Sequence, residues 1–422
     1  MKNSLNFLIE ANKLKEIPRT GWVLMKVKNP ETIAEHIFRV VISAWVLGYL
    51  KKFNEKKLVK LALIHDIVET YAGDKTPFLY WEGLDRKKTE DEEVLLRGVR
   101  LSKEEKERRG EIKFQNEKNS LLKLTSFLNP SLGNEIFLLW FDYEKRISRE
   151  GKFTKQIDRI ETLIQSIEYF GSKKITGGTS WWEGTEEIVE DPMLLDFLHI
   201  IQNKFYGKNF PKNKELENIL DFLLEIGKLK RMPRMYWILR GIKNPETVAG
   251  HIFTLTLMAL IFGREKKQLN QEKLLKMALC HEITAICTGD TIPYYLDLPK
   301  SQKERNEVFK KLPRLLKEQK AKKFFIDYKA EKIAIKKITS KLDSSLRNEI
   351  IKLWEEYRTK SSPEGSFLSQ LNVLAALLQG LLYQKKDKNF SVGALWEWAF
   401  EVCDDPLCIQ LMDEMKRKLH RK

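Results

Sequence analysis

Lys28-Asn29-Pro30-Glu31-Thr32-Ile33-Ala34-Glu35-His36 returns, little changed, as Lys243-Asn244-Pro245-Glu246-Thr247-Val248-Ala249-Gly250-His251. The echo extends in both directions. Pro18-Arg19-Thr20-Gly21-Trp22 has its counterpart in Pro233-Arg234-Met235-Tyr236-Trp237, His65-Asp66 in His281-Glu282, and Gly73-Asp74 in Gly289-Asp290. Further on, Asn134-Glu135-Ile136 and Trp140 match Asn348-Glu349-Ile350 and Trp354, and Asp191-Pro192 matches Asp405-Pro406. The spacing stays between 214 residues (Asp191 to Asp405) and 216 (His65 to His281). A period held over that length means a tandem duplication. Gly207, Asn209, Pro211 and Asn213 cluster as linker residues do, so the expected domains are 1–207 and 214–422.

Within each repeat the apolar residues recur at helical spacing. Asn29 and Pro30 read as the cap and first residue of a helix whose stripe is Ile33, Ile37, Val40, Val41 and Ala44. Leu58, Leu61, Ala62, Ile64 and Val68 mark a second helix stopped by Gly73 and Pro77, and Phe153, Ile157, Ile160, Ile164 and Ile167 mark a later one. Runs of alternating β-branched residues are absent. The expectation is an all-α fold of two tandem helical domains arranged as an internal pseudo-dimer.

The bulk composition narrows the function classes. Hydrophobic residues make up 42% and charged residues 32% of 422, a globular balance and not a disordered one. The net charge of +16, from 75 Lys+Arg against 59 Asp+Glu, favours anionic partners such as nucleotides. No compact basic block with interleaved aromatics stands out, so nucleic acid is not the expected partner. Four cysteines without a CxxC pair exclude a zinc knuckle and a dithiol redox motif. Met1–Glu16 lacks an apolar signal core, and runs such as Val40–Leu50 read as too short to span a bilayer. A cytoplasmic protein without a membrane partner is expected. Asp85–Lys118, rich in charge, reads as an exposed helical excursion.

The chain has six histidines, and four of them occupy equivalent positions of the two repeats. A lone histidine beside an apolar stripe is usually a packed residue. His36, the adjacent His65-Asp66 and a later Asp158 form a different kind of set, because imidazole nitrogens together with carboxylate oxygens suit a divalent cation. Such a cation lowers the pKa of water to about 7 and so supplies a nucleophile at neutral pH.

These residues and their surroundings resemble the HD-domain phosphohydrolases, in particular the 5′-deoxynucleotidase-like branch. The resemblance is carried by Arg19-Thr20-Gly21-Trp22, Asn29-Pro30-Glu31, Ala34-Glu35-His36, His65-Asp66-Ile67-Val68-Glu69 and Gly73-Asp74-Lys75-Thr76-Pro77. It continues through Glu150-Gly151, Gln156-Ile157-Asp158 and Glu168-Tyr169. It implies that His36, His65, Asp66 and Asp158 hold one divalent metal (Mn, Co, Ni, Fe, Zn or Mg). It makes Glu69 the general acid/base, four residues after His65 and so expected on the same helical face. Asp74 becomes a second carboxylate beside the substrate, with Lys75 and Thr76 next to it. Arg19 takes the phosphate, a role its fork of donors suits, and Trp22 lies against the sugar or base. The reaction implied is release of phosphate from a deoxynucleoside 5′-monophosphate. Family members resemble one another in pairing as homodimers, so the chain is expected to be a monomer with an internal pseudo-dimer, or a homodimer.

The second repeat reads as degenerate. His251 and His281 remain, but Glu282 replaces the aspartate, Asn372 stands at the Asp158 position, and Ala285 at the Glu69 position. Arg234, Trp237 and Asp290 persist. Two other classes fit parts of the pattern. One is an HD hydrolase of nucleoside triphosphates, guanosine polyphosphates or other phosphomonoesters, since fold does not fix substrate. The other is a non-catalytic nucleotide- or nucleic-acid-binding protein, against which the intact Glu69 and Asp158 weigh.

Overall fold

A computed structural model describes residues 4–74, 102–171, 179–292, 298–310 and 315–419. Among them there is no strand, and the only extended pairing is two isolated bridges, Pro18 with Thr32 and Pro233 with Thr247. The chain divides into two compact units. One is Ile9–Asp221, and the other is Phe222–Lys422 together with Met1–Leu8. The division falls inside a helix, Lys214–Gly227, and not in the loop before it.

The first unit is built on helices α1 (Ser4–Ala11, whose last residues belong here), α2 (Thr20–Leu24), α3 (Ile33–Leu50), α4 (Glu55–Ile64), α5 (Glu69–Ala72), α6 (Lys103–Thr125), α7 (Pro130–Lys145) and α8 (Arg149–Phe170). Helix α3 is the centre of the unit, packed on α4 and α8. It is buried over most of its length, so its apolar stripe widens to nearly the whole circumference. With a mean hydropathy of 1.4 over 18 residues, Ile33–Leu50 is long and apolar enough to cross a membrane, contrary to the sequence expectation for this run. So are Val248–Glu265 and Pro363–Lys386. These windows are 89%, 89% and 83% buried inside the protein, which accounts for their composition as core helices.

The start of α3 differs from its sequence reading. The cap is Thr32, three residues beyond Asn29: its hydroxyl accepts from Glu35 N at 3.4 Å, and Glu35 Oε2 accepts from Thr32 N at 2.7 Å. Asn29 instead takes a left-handed turn at φ 53°, and Pro30-Glu31 runs extended against Pro18-Arg19. Arg19 N donates to Glu31 O and Ile33 N to Ile17 O, both at 3.0 Å. The proline and asparagine thus serve a turn, and the reciprocal cap starts the helix. That pairing fixes Arg19 beside the first turn of α3.

The second repeat re-uses the plan. Its helices include α9 (Met235–Leu239), α10 (Val248–Glu265), α11 (Gln271–Cys280), α12 (Ala285–Thr288), α13 (Lys317–Ile338), α14 (Ser344–Thr359) and α15 (Pro363–Lys386). Arg234 N donates to Glu246 O at 2.9 Å and Val248 N to Met232 O at 2.8 Å, repeating the pairing of the first. Thr247 caps α10, but Gly250 leaves the reciprocal half of the cap unmade.

Candidate metal centre

Three helices and one turn of the first repeat bring the candidate ligands together. His36 lies on the first turns of α3, wholly buried. His65 ends α4, where its Nδ1 donates to Ala62 O at 2.7 Å and so leaves Nε2 as a lone pair. After it the chain runs in a turn until α5 starts at Glu69, a break that the continuous apolar pattern did not predict. The break matters to the site. Adjacent residues of a regular helix point about 100° apart and do not face one another, yet Asp66 Oδ2 comes within 3.2 Å of His65 Nε2. Asp158, from the middle of α8, places Oδ1 3.1 Å from His36 Nε2, with its other oxygen taking a hydrogen bond from Tyr143 at 2.7 Å. The two imidazole Nε2 atoms are 3.4 Å apart, and Asp66 Oδ2 is 3.7 Å from His36 Nε2. Ligand atoms about 2.1 Å from one cation stand roughly 3.0–3.4 Å from each other. His36, His65 and Asp66 place ligand atoms within 4.8 Å of one another, a group that could hold a divalent ion, and Asp158 adjoins it through its 3.1 Å contact with His36.

The electrostatics agree with that chemistry. Burial and Arg19 both push the His36 imidazole down, but Glu161 and Asp158 outweigh them and raise it to about 9. Although burial opposes it, His65 and His36 hold the Asp66 carboxylate below its usual range. The cluster is therefore a nest of anionic oxygens around nitrogen donors, a place for positive charge.

Around this cluster lie the other candidates. Glu69 is buried, and its Oε2 has no hydrogen-bond partner among the described residues. Burial, with Asp66 and Asp74 beside it, lifts its carboxyl well above the usual range against the pull of Arg19. It keeps its place near Asp66 even though the helix is interrupted between His65 and Glu69, so helical spacing is not what puts it there. Arg19 Nη1 is 3.5 Å from Asp66 Oδ2, and Nη2 donates to Thr162 at 3.3 Å. Asp74 follows Gly73, whose φ of 72° only a glycine adopts freely, and turns back so that Oδ2 accepts from Thr20 N at 2.6 Å. Lys75 and Thr76 lie outside the described residues.

Trp22 is placed elsewhere than its sequence reading had it. It is 1% exposed, donates Nε1–H to Glu31 Oε1 at 2.8 Å and packs edge-on against Tyr169. The Tyr169 hydroxyl in turn accepts from the Glu31 backbone N–H at 2.7 Å. A side chain so enclosed braces the Arg19 segment from within the core and offers no face to a sugar or base. The charged stretch before Lys118 is also only partly as expected. Residues 85–101 lie outside the described region, and α6 turns Glu117 inward, 5% exposed, with Lys113 3.3 Å from it.

Sequence reading missed Glu161. It lies one turn beyond Asp158 and is wholly buried, with Oε2 2.5 Å from His36 Nδ1. Arg39, Gln165 and Glu168 complete a buried polar layer around it. The signal was present as Asp158, Glu161, Thr162, Gln165 and Glu168, a polar row at helical spacing beside the apolar stripe of α8.

In the second repeat His251, His281 and Glu282 again gather their ligand atoms within 4.8 Å. Asn372 Oδ1 lies 2.6 Å from His251 Nε2, and Asn372 Nδ2 donates to Tyr357 at 2.9 Å. Burial, with Arg234 and Arg358 nearby, lowers His281 to about 3 despite its bond to Ala278 O.

Comparison with known proteins now decides the family. A match to the HD domain covers residues 11–182 and again 226–394. The chain belongs to the HD-domain family. Its two HD domains are the two repeats. The 5′-deoxynucleotidase HDDC2 of Danio rerio is 34% identical over 170 residues, which are 40% of this chain and 72% of that protein. The human 5′-deoxynucleotidase HDDC2 is 33% identical, over 40% of this chain and 69% of that one. The 5′-deoxynucleotidase hdd1 of Schizosaccharomyces pombe is 29% identical, over 46% and 85%. A crystal structure of the PH0347 protein from Pyrococcus horikoshii OT3 is 25% identical over 47% of this chain and 96% of that one, with a TM-score of 0.35.

Proposed function

We propose that the first HD domain hydrolyses deoxynucleoside 5′-monophosphates to deoxynucleoside and phosphate, using one divalent cation held by His36, His65, Asp66 and Asp158. The protein is an enzyme, a metal-dependent phosphohydrolase acting on a small-molecule nucleotide. The observation that supports this reading best is the convergence of His36 Nε2, His65 Nε2 and Asp66 Oδ2 from two helices and a turn, with Asp158 Oδ1 of α8 set against His36 Nε2. A cation bound there supplies Lewis acidity, lowering the pKa of water toward about 7 and polarising a phosphoryl oxygen.

The chain's own residues supply the rest. Arg19, beside Asp66 and Thr162, offers a fixed cationic fork to the phosphate. Glu69, whose carboxyl burial lifts well above its usual range, is suited to hand a proton to the leaving ribose oxygen and then to accept one from water. Asp74 locks the Thr20 end of α2 and so holds Arg19 in register. Lys75 and Thr76, which follow directly in sequence, are further proposed substrate-binding residues.

The test is a phosphate-release screen of the full chain across deoxynucleoside and ribonucleoside mono-, di- and triphosphates with Mn, Co, Ni, Zn, Fe or Mg. Release confined to deoxynucleoside monophosphates is expected. Preferential release from triphosphates or guanosine polyphosphates would reassign the substrate, and no release with any cation would leave only a binding protein.

A further inference from the structure

Beneath the candidate metal site lies a charged layer whose Arg39 and Glu161 side chains are 0% exposed and whose Glu168 side chain is 12% exposed. Arg39 donates through Nε to Glu161 Oε1 at 2.8 Å, through Nη1 to Glu168 at 2.7 Å and through Nη2 to Gln165 at 2.8 Å. The second oxygen of Glu161 faces His36 Nδ1 at 2.5 Å. Burying this many charges is costly, and an all-apolar layer often serves a fold as well or better.

The second repeat shows that the fold can do without it. At the equivalent positions stand Thr254 for Arg39, Ala375 for Glu161 and Leu382 for Glu168. The neighbouring core is meanwhile retained. Trp237 donates to Glu246 at 2.9 Å and packs edge-on against Tyr383, as Trp22 does to Glu31 and Tyr169. The three charged residues vanish together, in the same copy that has lost the acid/base carboxylate and the Asp158 ligand. A layer dispensable for packing and present only beside the intact cluster serves that cluster.

We propose that Glu161, charge-balanced by Arg39, is a positioning residue for the metal site: it accepts the Nδ1 proton of His36 and thereby keeps the Nε2 lone pair turned toward the cation. The inference rests on the metal-dependent reading above. A ligating histidine needs its other ring nitrogen held as a donor, and a carboxylate there fixes both tautomer and orientation. Glu31, His36 and Glu161 also place ligand atoms within 4.8 Å of one another, but Glu161 is already engaged by Arg39 and His36, so this trio braces the site and is not a second one. At His251 the Glu161 position is Ala375, the Glu246 carboxylate stands 4.0 Å from Nδ1, and Nε2 faces the Asn372 amide oxygen, a hydrogen-bond acceptor that favours the Nε2-protonated ring.

The experiment measures Mn binding to the full chain by competition with a chromophoric chelator, for the unaltered protein, for Glu161→Gln and for the graft Arg39→Thr/Glu161→Ala/Glu168→Leu. The graft installs the second repeat's own solution and guards against a single variant that fails to fold because Arg39 is left unbalanced. Affinity is expected to fall about 10- to 100-fold in both variants with the far-ultraviolet CD spectrum unchanged. With diamagnetic Zn bound, nitrogen NMR of the histidines is expected to show His36 protonated at Nδ1 in the unaltered chain and a mixed population in Glu161→Gln. Unchanged affinity and an unchanged His36 tautomer in the folded variants would overturn the inference. If the unaltered chain binds neither Mn nor Zn, it is the metal-dependent function that falls, an outcome visible before any variant is made.

Discussion

The two repeats place their tryptophan, their paired histidines and the arginine-bearing turn in nearly the same geometry, yet differ at several of the charged positions around the candidate cation. His36–Asp158 becomes His251–Asn372, Glu69 becomes Ala285, and the layer of Arg39, Glu161 and Glu168 becomes Thr254, Ala375 and Leu382. The internal bridge, the Trp–Glu hydrogen bond and the Tyr–Trp edge contact survive in both. Residues that hold the fold and residues that hold charge near the site are therefore separable, and one chain contains both versions. A duplicated domain released from catalysis keeps its apolar packing because each lost core methyl group costs stability, whereas a buried charge with no ligand to serve is a liability.

The sharpest way to break this comparison is to remove the same ligand from each copy. Asp66→Ala is expected to reduce metal-dependent phosphate release to background, while Glu282→Ala leaves the rate unchanged. A loss of release in Glu282→Ala, with the protein still folded, would show that the second repeat takes part in turnover. Next in size is the acid/base. Glu69→Gln should retain cation affinity and lose about 10²- to 10⁴-fold in kcat; a variant that still turns over would move the proton-transfer role to another group.

The smallest effect concerns a feature the repeats share. Glu117 and Glu331 are equivalent, both buried, and burial raises each to about 7 in spite of Lys113 beside the first and Arg358 beside the second. A carboxyl whose folded-state value is raised favours the folded protein when protonated. That contribution is fully present below the unfolded value near 4.5 and is lost as pH climbs toward 7. Glu331→Gln should therefore reduce the decline in Tm between about pH 5 and pH 7, by a few degrees at most. Phosphate release should not change. An identical pH dependence of Tm in the variant would show that this carboxyl ionises freely in the folded chain.

Much of the candidate site was legible because the chemistry proposed for it is carried by rare residues. Histidine is scarce here, so the recurrence of His36 and His65 as His251 and His281 singled them out, and the polar Asp158 on an apolar helix completed the set. Trp22 was misread because an aromatic beside a phosphate-binding arginine looks the same in sequence whether it faces a ligand or a core; its 1% exposure and its bond to Glu31 decide that. Glu161 was overlooked because a glutamate on a helix with both an apolar stripe and charged residues ordinarily belongs to the solvated face.

By itself the sequence determined the helical class, the duplication and the degeneracy of the second copy. Those follow from periodicity and residue identity, which are local and survive without knowledge of any contact. Tertiary structure alone decided which residues meet. It broke the helix after His65 so that two adjacent side chains face one point, moved the start of α3 to Thr32, and buried Glu161 against His36 and Arg39. The reason is that a metal site is a set of distances between residues far apart in the chain, and only the packing of α3, α4 and α8 against one another sets those distances.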